Sequence, residues 1–129
     1  MTNFIGIDLG TTNSAICSFD GDKVKIWKSP EQNDITPSVI LIDKRTKYYG
    51  QRAYDNEPYN SENTAKLFKR YMGTSAKLEF PSLGISKTPE ECSSEILSVL
   101  FGYLPEEIRS SPDTFTVITV PAAFNQMQK

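Results

Sequence analysis

The sequence contains no histidine, and that absence removes several chemistries. Ser–His and Cys–His nucleophilic catalysis need an imidazole base, and His-ligated zinc needs its ring nitrogen. Cysteine is scarce: Cys17 and Cys92 lie far apart and form no CxxC pair. Neither a disulfide framework nor a zinc site is expected, and a reducing, cytoplasmic setting is. Cys17 reads as a small apolar strand residue. No apolar run approaches the ~18 residues of a membrane span, so no membrane partner is expected. The formal net charge is only −2, and without a basic surface no nucleic-acid partner is expected either. Met1-Thr2-Asn3 runs straight into a strand pattern rather than a secretory leader.

What remains is an ordinary soluble composition of 129 residues, 38% hydrophobic and 23% charged. A chain of this size buries roughly two-thirds of its unfolded surface, enough for a core without staples. Any chemistry must run on carboxylates, lysine, hydroxyls, backbone amides and a borrowed metal. Residues 5–14, Ile-Gly-Ile-Asp-Leu-Gly-Thr-Thr-Asn-Ser, have the parts of a nucleotide-phosphate loop. A strand delivers Asp8, the chain turns through Gly10 into Thr11 and Thr12, and a second apolar run follows. Gly10 permits positive φ and lacks a Cβ that would hold a ligand away. Successive N–H groups in such a turn make an anion-binding concavity. Asp8 offers a hard oxygen to Mg²⁺, directly or through water.

Residues 4–9 and 14–19 read as a hairpin, and residues 24–27 as a third strand after the Asp20-Gly21-Asp22 turn. Together they make an antiparallel meander, with Trp27 as a packing residue. Residues 39–42 form an apolar strand. The charged cluster at 43–47 is a solvated hairpin turn leading to Tyr48 and Tyr49. Residues 50–59 predict a short helix stopped by Pro58, and residues 61–72 a better one with Ser61 as N-cap and Gly73 as stop. That second helix carries Lys69. Residues 77–85 read as short, irregular strands.

Thr88-Pro89-Glu90-Glu91 is a helix-start signal, with an N-cap threonine, proline at N1 and glutamate completing a capping box. Ile96, Leu100, Tyr103 and Leu104 continue at helical spacing, until Pro105 forces a kink or restart. Residues 114–120 are β-branched and predict a strand central in a sheet. Asn125 resembles an N-cap with barely one turn after it, so the chain is expected to be a fragment of a longer protein. The segment between about 31 and 113 is an α/β insertion that need not fold separately.

The opening run resembles the actin-like ATPase superfamily as a whole, so a sugar-kinase-like enzyme and an actin-like filament ATPase stand as alternatives. Four further stretches narrow the match. Ile35-Thr36-Pro37-Ser38-Val39-Ile40, Tyr49-Gly50-Gln51-Arg52-Ala53, Leu67-Phe68-Lys69-Arg70-Tyr71-Met72-Gly73 and Val117-Ile118-Thr119-Val120-Pro121-Ala122-Ala123-Phe124-Asn125 occur in the order found in DnaK-type chaperones. By these motifs the chain resembles the heat shock protein 70 family, and the Leu-Phe-Lys-Arg-x-Met-Gly form is similar to a divergent bacterial branch.

The resemblance implies the amino-terminal part of an ATPase nucleotide-binding domain with an α/β, actin-like (ribonuclease-H-like) lobe. Its mixed sheet would hold the three-stranded meander and a return strand. Residues 1–30 and 114–129 would form the inner subdomain, and 31–113 the outer insertion. The cofactors implied are ATP/ADP and Mg²⁺. Asp8 would hold the metal's hydration sphere. Gly10, Thr11, Thr12 and Asn13 would form the first phosphate loop, and Lys69 would reach the γ-phosphate or attacking water. The catalytic set implied is Lys69, Thr11 and Asp8.

Pro121 matches the family's switch proline, although Ala123 and Lys129 stand where tyrosine and arginine are usual. Lysine cannot reproduce a guanidinium's bidentate bonding. Partners implied are unfolded peptide clients through a separate peptide-binding domain, a J-domain co-chaperone and a nucleotide exchange factor. The fragment alone is expected to be monomeric and inactive.

Overall fold

The computed structural model describes residues 3–112 and 114–119, a mixed α/β arrangement. Strand β1 (Asn3–Leu9) alternates, with Ile5, Ile7 and Leu9 buried and Phe4 and Asp8 on the other face. Strand β2 (Asn13–Phe19) runs antiparallel to it and turns Ser14, Ile16 and Ser18 inward. The Asp20 carboxylate accepts from the N–H groups of Asp22 (2.9 Å) and Lys23 (3.0 Å), which closes the turn into β3 (Val24–Ile26). The expected meander is present, and Trp27 packs at its end with Nε1 donating to Ser18 Oγ at 2.8 Å.

A second, antiparallel sheet joins β5 (Val39–Ile42) to β6 (Lys47–Tyr49) and β7 (Thr64–Lys66). The short β4 (Thr36–Pro37) instead pairs with β2, tying this segment to the first sheet. Asp43 closes the β5–β6 hairpin by accepting from Arg45 N, Thr46 N and Thr46 Oγ1, as a solvated turn should. Helix α1 (Gln51–Asn56) gives way at Pro58 to a single 3-10 turn over Glu57–Tyr59. Strands β8 (Leu78–Phe80) and β9 (Ile85–Lys87) form a small hairpin.

Helix α2 (Pro89–Phe101) starts with the capping box read from the sequence: Thr88 Oγ1 accepts from Glu91 N at 3.0 Å, and Glu91 Oε1 from Thr88 N at 2.8 Å. The chain restarts after Pro105 as α3 (Glu106–Arg109).

Two expectations fail. Residues 61–72 are not a helix. A 3-10 turn (Ser61–Asn63) leads into β7, Leu67 takes a left-handed φ of 57°, and a second 3-10 turn covers Phe68–Tyr71. Polar bonds to Asn60 and to the distant Ser82, with pairing to β5, win over helical spacing here. Buried Asn63 Nδ2 donates to Asn60 Oδ1 and Ser82 Oγ, both at 2.7 Å, while Ser82 N donates back to Asn63 Oδ1 at 2.9 Å. Thr64 and Ala65 then pair with Leu41 and Ile40.

The second failure is the position of β10 (Thr114–Thr119), which lies parallel to β1 but outermost in the described sheet order β10-β1-β2-β3. Its β-branched composition suits parallel pairing, yet Ile118 is 44% exposed. Val120 lies outside the described residues.

One core joins all of this. Ile5, Ile7, Leu9 and Ile16 from the first sheet meet Ile40, Ile42 and Ala65 from the second, and Phe68, Phe80, Cys92, Ile96, Leu100 and Leu104 fill the space between. The far face of β5 packs Val39 and Leu41 on Ala53 of α1. Burial pushes the Cys92 thiol up to about 12, so it acts as an inert core group. Among the described residues no helix is long and apolar enough to cross a membrane.

Removing the α2 cap should cost about 1 kcal/mol; urea melting of Thr88→Ala checks this. The cap also carries a pH signature. Thr88 N–H holds the Glu91 carboxyl below its ordinary value, so its contribution is complete above that value and disappears as pH falls through the lowered one. Glu91→Gln should flatten the acid limb of the stability–pH curve, and an unchanged limb would refute this.

Candidate functional site

The β1–β2 turn is the centre of the site. Alternation places Asp8 on the exposed face, one residue before buried Leu9 and two before the turn. Gly10 is not among the positive-φ glycines, so the freedom that glycine permits there is not used. Glycine is required by close approach: a Cβ there would sit 2.3 Å from the Asn13 carbonyl oxygen. Thr11 is half-buried, while Thr12 and Asn13 are exposed at the rim.

Lys69 arrives from 60 residues away. The left-handed turn at Leu67 and the fully buried Phe68 fix the short 3-10 turn that carries it. The side chain is 3% exposed, and its Nζ donates to the Leu9 carbonyl at the foot of the turn. Burial pulls the ammonium below its ordinary pKa, while the charge of Asp8 favours the protonated form. The structure thus brings Asp8, Gly10, Thr11, Thr12 and Lys69 around one turn. Lys69 does so from a 3-10 turn rather than from the expected helix.

The turn opens in several directions. A cavity of about 540 Å³ is lined by Thr12, Asn13, Asn33, Asp34, Gln51 and Tyr54 among others. One of about 210 Å³ includes Thr11, Thr12, Ser38 and Lys66. Asp8 lines a separate, mostly apolar hollow with Gly6, Ala15, Cys17 and Ile26. Pro121, with Ala123 and Lys129, lies outside the described residues.

The donor set fits Mg²⁺ in one way only. Among the described residues no three or more acidic, cysteine or histidine side chains converge, so there is no all-protein metal cage. A single exposed Asp8 beside two threonines suits an ion that keeps its waters and shares phosphate oxygens.

Sequence reasoning missed the residues that hold the turn. Ser38 N donates to Thr12 O at 2.9 Å, Ser38 Oγ donates to Gly10 O at 3.0 Å, and Ser14 Oγ lies 2.8 Å from Ser38 Oγ. Thr36 Oγ1 meets the Tyr103 hydroxyl at 3.1 Å. Two serines on otherwise apolar, inward-facing positions were the available signal.

Gly10→Ala would press a methyl group on backbone that has no side-chain freedom to move aside. Strain of this kind costs about 1–3 kcal/mol, and a drop of that size in the urea-derived stability is expected. An unchanged midpoint would show that the turn relaxes freely. Compared with known protein families, residues 4–129 match the model described as Hsp70 protein.

Proposed function

The chain belongs to the Hsp70 protein family, and from that premise we propose that it forms the amino-terminal lobe of the nucleotide-binding domain of an ATP-dependent folding chaperone. The observation that carries this reading is Lys69, buried at the foot of the β1–β2 turn beside the charge of Asp8. A lysine is rarely this buried without a task or a partner, and here it is placed next to a loop suited to anions.

In this reading the lobe is actin-like, with residues 1–30 and 114–129 as the inner subdomain and 31–113 as the outer one. The parallel β1–β10 pair beside the meander supports that layout. Gly10, Thr11, Thr12 and Asn13 cradle the phosphates of ATP or ADP through backbone N–H groups and hydroxyls. Asp8 holds Mg²⁺ through its hydration sphere, and Mg²⁺ when bound neutralises phosphate charge. Lys69 supplies a fixed positive charge near the γ-phosphate or attacking water. Phosphoryl transfer needs chiefly positioning and charge stabilisation, which these groups can provide without histidine.

The full protein would act in the cytoplasm. ATP turnover would control unfolded peptides held by a separate domain, with a J-domain co-chaperone and a nucleotide exchange factor as partners. Pro121 would relay nucleotide state. This chain alone would be monomeric, with weak ATP binding and no useful turnover, because one jaw cannot surround a nucleotide.

Lys69→Met keeps an apolar stem in the buried site while deleting the charge. In the full-length protein it should lower the ATPase kcat by about 10²-fold or more, with a smaller change in ATP affinity. Wild-type kcat in this variant would overturn the assignment of Lys69.

A further inference from the structure

Resting on the ATP reading, we propose that Ser38 is the positioning residue that sets the direction of the phosphate-loop backbone. Ser38 and Ser14 are each 1% exposed, so neither hydroxyl can turn to water instead. A serine hydroxyl has one proton, and Ser38 gives its proton to Gly10 O. The 2.8 Å contact between the serines must then have Ser14 as donor. The result is a directed chain from Ser14 to Ser38 to the Gly10 carbonyl.

The peptide planes follow from this chain. Among the described residues no peptide bond is cis, and in a trans peptide the C=O and the next N–H point oppositely. With Gly10 O drawn to Ser38, the Thr11 N–H is turned away from it. With Thr12 O accepting from Ser38 N, the Asn13 N–H is turned away too. One residue therefore fixes two of the three peptide planes between Gly10 and Asn13, its hydroxyl holding the first and its amide the second.

The anchor is also held from outside the turn. Ser38 follows Pro37, whose ring fixes φ, and the arm is paired to β2 through Asn13↔Pro37 and Ser14↔Thr36. Thr36 is bonded in turn to Tyr103, beyond the end of α2. Donors aimed in advance at an anion cost no reorganisation when charge develops. Ser38 supplies that pre-aiming without touching the ligand.

The test uses full-length protein with two readouts: hydrogen-exchange protection, without nucleotide, of the amide at position 38, which is bonded to Thr12 O, and steady-state ATP turnover. Ser38→Ala should lower that protection about tenfold and lower kcat/KM about 3- to 10-fold, with exchange in α2 unchanged. Ser38→Cys, which fills the space with a weak donor, should show the same loosening even if the alanine variant folds poorly. Ser38→Thr keeps the hydroxyl and should restore both readouts. Ser14→Ala should leave both within about twofold, because Ser38 keeps its own bond to Gly10.

Wild-type protection of the position-38 amide in Ser38→Ala and Ser38→Cys would overturn the proposal, as would equal effects of Ser14→Ala and Ser38→Ala. A loosened loop with unchanged kcat/KM would overturn the link to phosphate. If wild type turns over no ATP, the functional reading fails, while the exchange measurement still decides whether Ser38 directs the loop.

Discussion

The β1–β2 turn cannot satisfy its own carbonyl oxygens. Leu9 O accepts from Lys69 Nζ, Gly10 O from Ser38 Oγ and Thr12 O from Ser38 N. An unmet buried acceptor costs about as much as a lost hydrogen bond, so for the buried Leu9 above all the rest of the chain must bring a donor in. The donors come from Lys69 and Ser38, and not from the hairpin. With the carbonyls occupied on one side, the intervening N–H groups are presented on the other, where an anion can use them.

That obligation explains why the two sheets share one core. Helix α2 packs Cys92, Ile96 and Leu100 among residues of both sheets, and Phe68 joins them directly beside Lys69. The buried lysine is held by the packing of its neighbour in sequence. Glu95 ties the same helix to both hairpins: Tyr49 OH and Lys87 Nζ converge on its carboxylate. The phenol is pushed up in pKa by burial and by that bond. The second sheet and the β8–β9 hairpin thus have little freedom to slide over the first sheet.

Local rules were legible in the sequence where local forces decide. The alternation of β1 and β2, the capping box at Thr88 and the break at Pro105 all depend on a few neighbouring residues. Residues 61–72 misled because apolar spacing was read without the Asn60–Asn63–Ser82 network and the pairing to β5, both made with distant chain. Gly10 needs its missing Cβ because of the approach of the Asn13 carbonyl, which the sequence does not show, and the positive φ that glycine permits is not used. Asp8 and the threonines are visible as chemistry. Ser38 is visible only as a serine on an inward-facing position, because a hydroxyl that acts through another residue's carbonyl carries no chemistry of its own in the sequence.

The parallel pairing of Asn3 with Thr114 and of Asp8 with Thr119 has a kinetic consequence. β1 is the first strand described, and its second neighbour is the last. Closing so long a loop delays non-local pairing and slows folding. Until β10 arrives, one edge of β1 offers unpaired backbone groups beside Ile5, Ile7 and Leu9, a template for the wrong partner. A member of the Hsp70 protein family therefore folds with one strand edge of β1 open until β10 pairs with it.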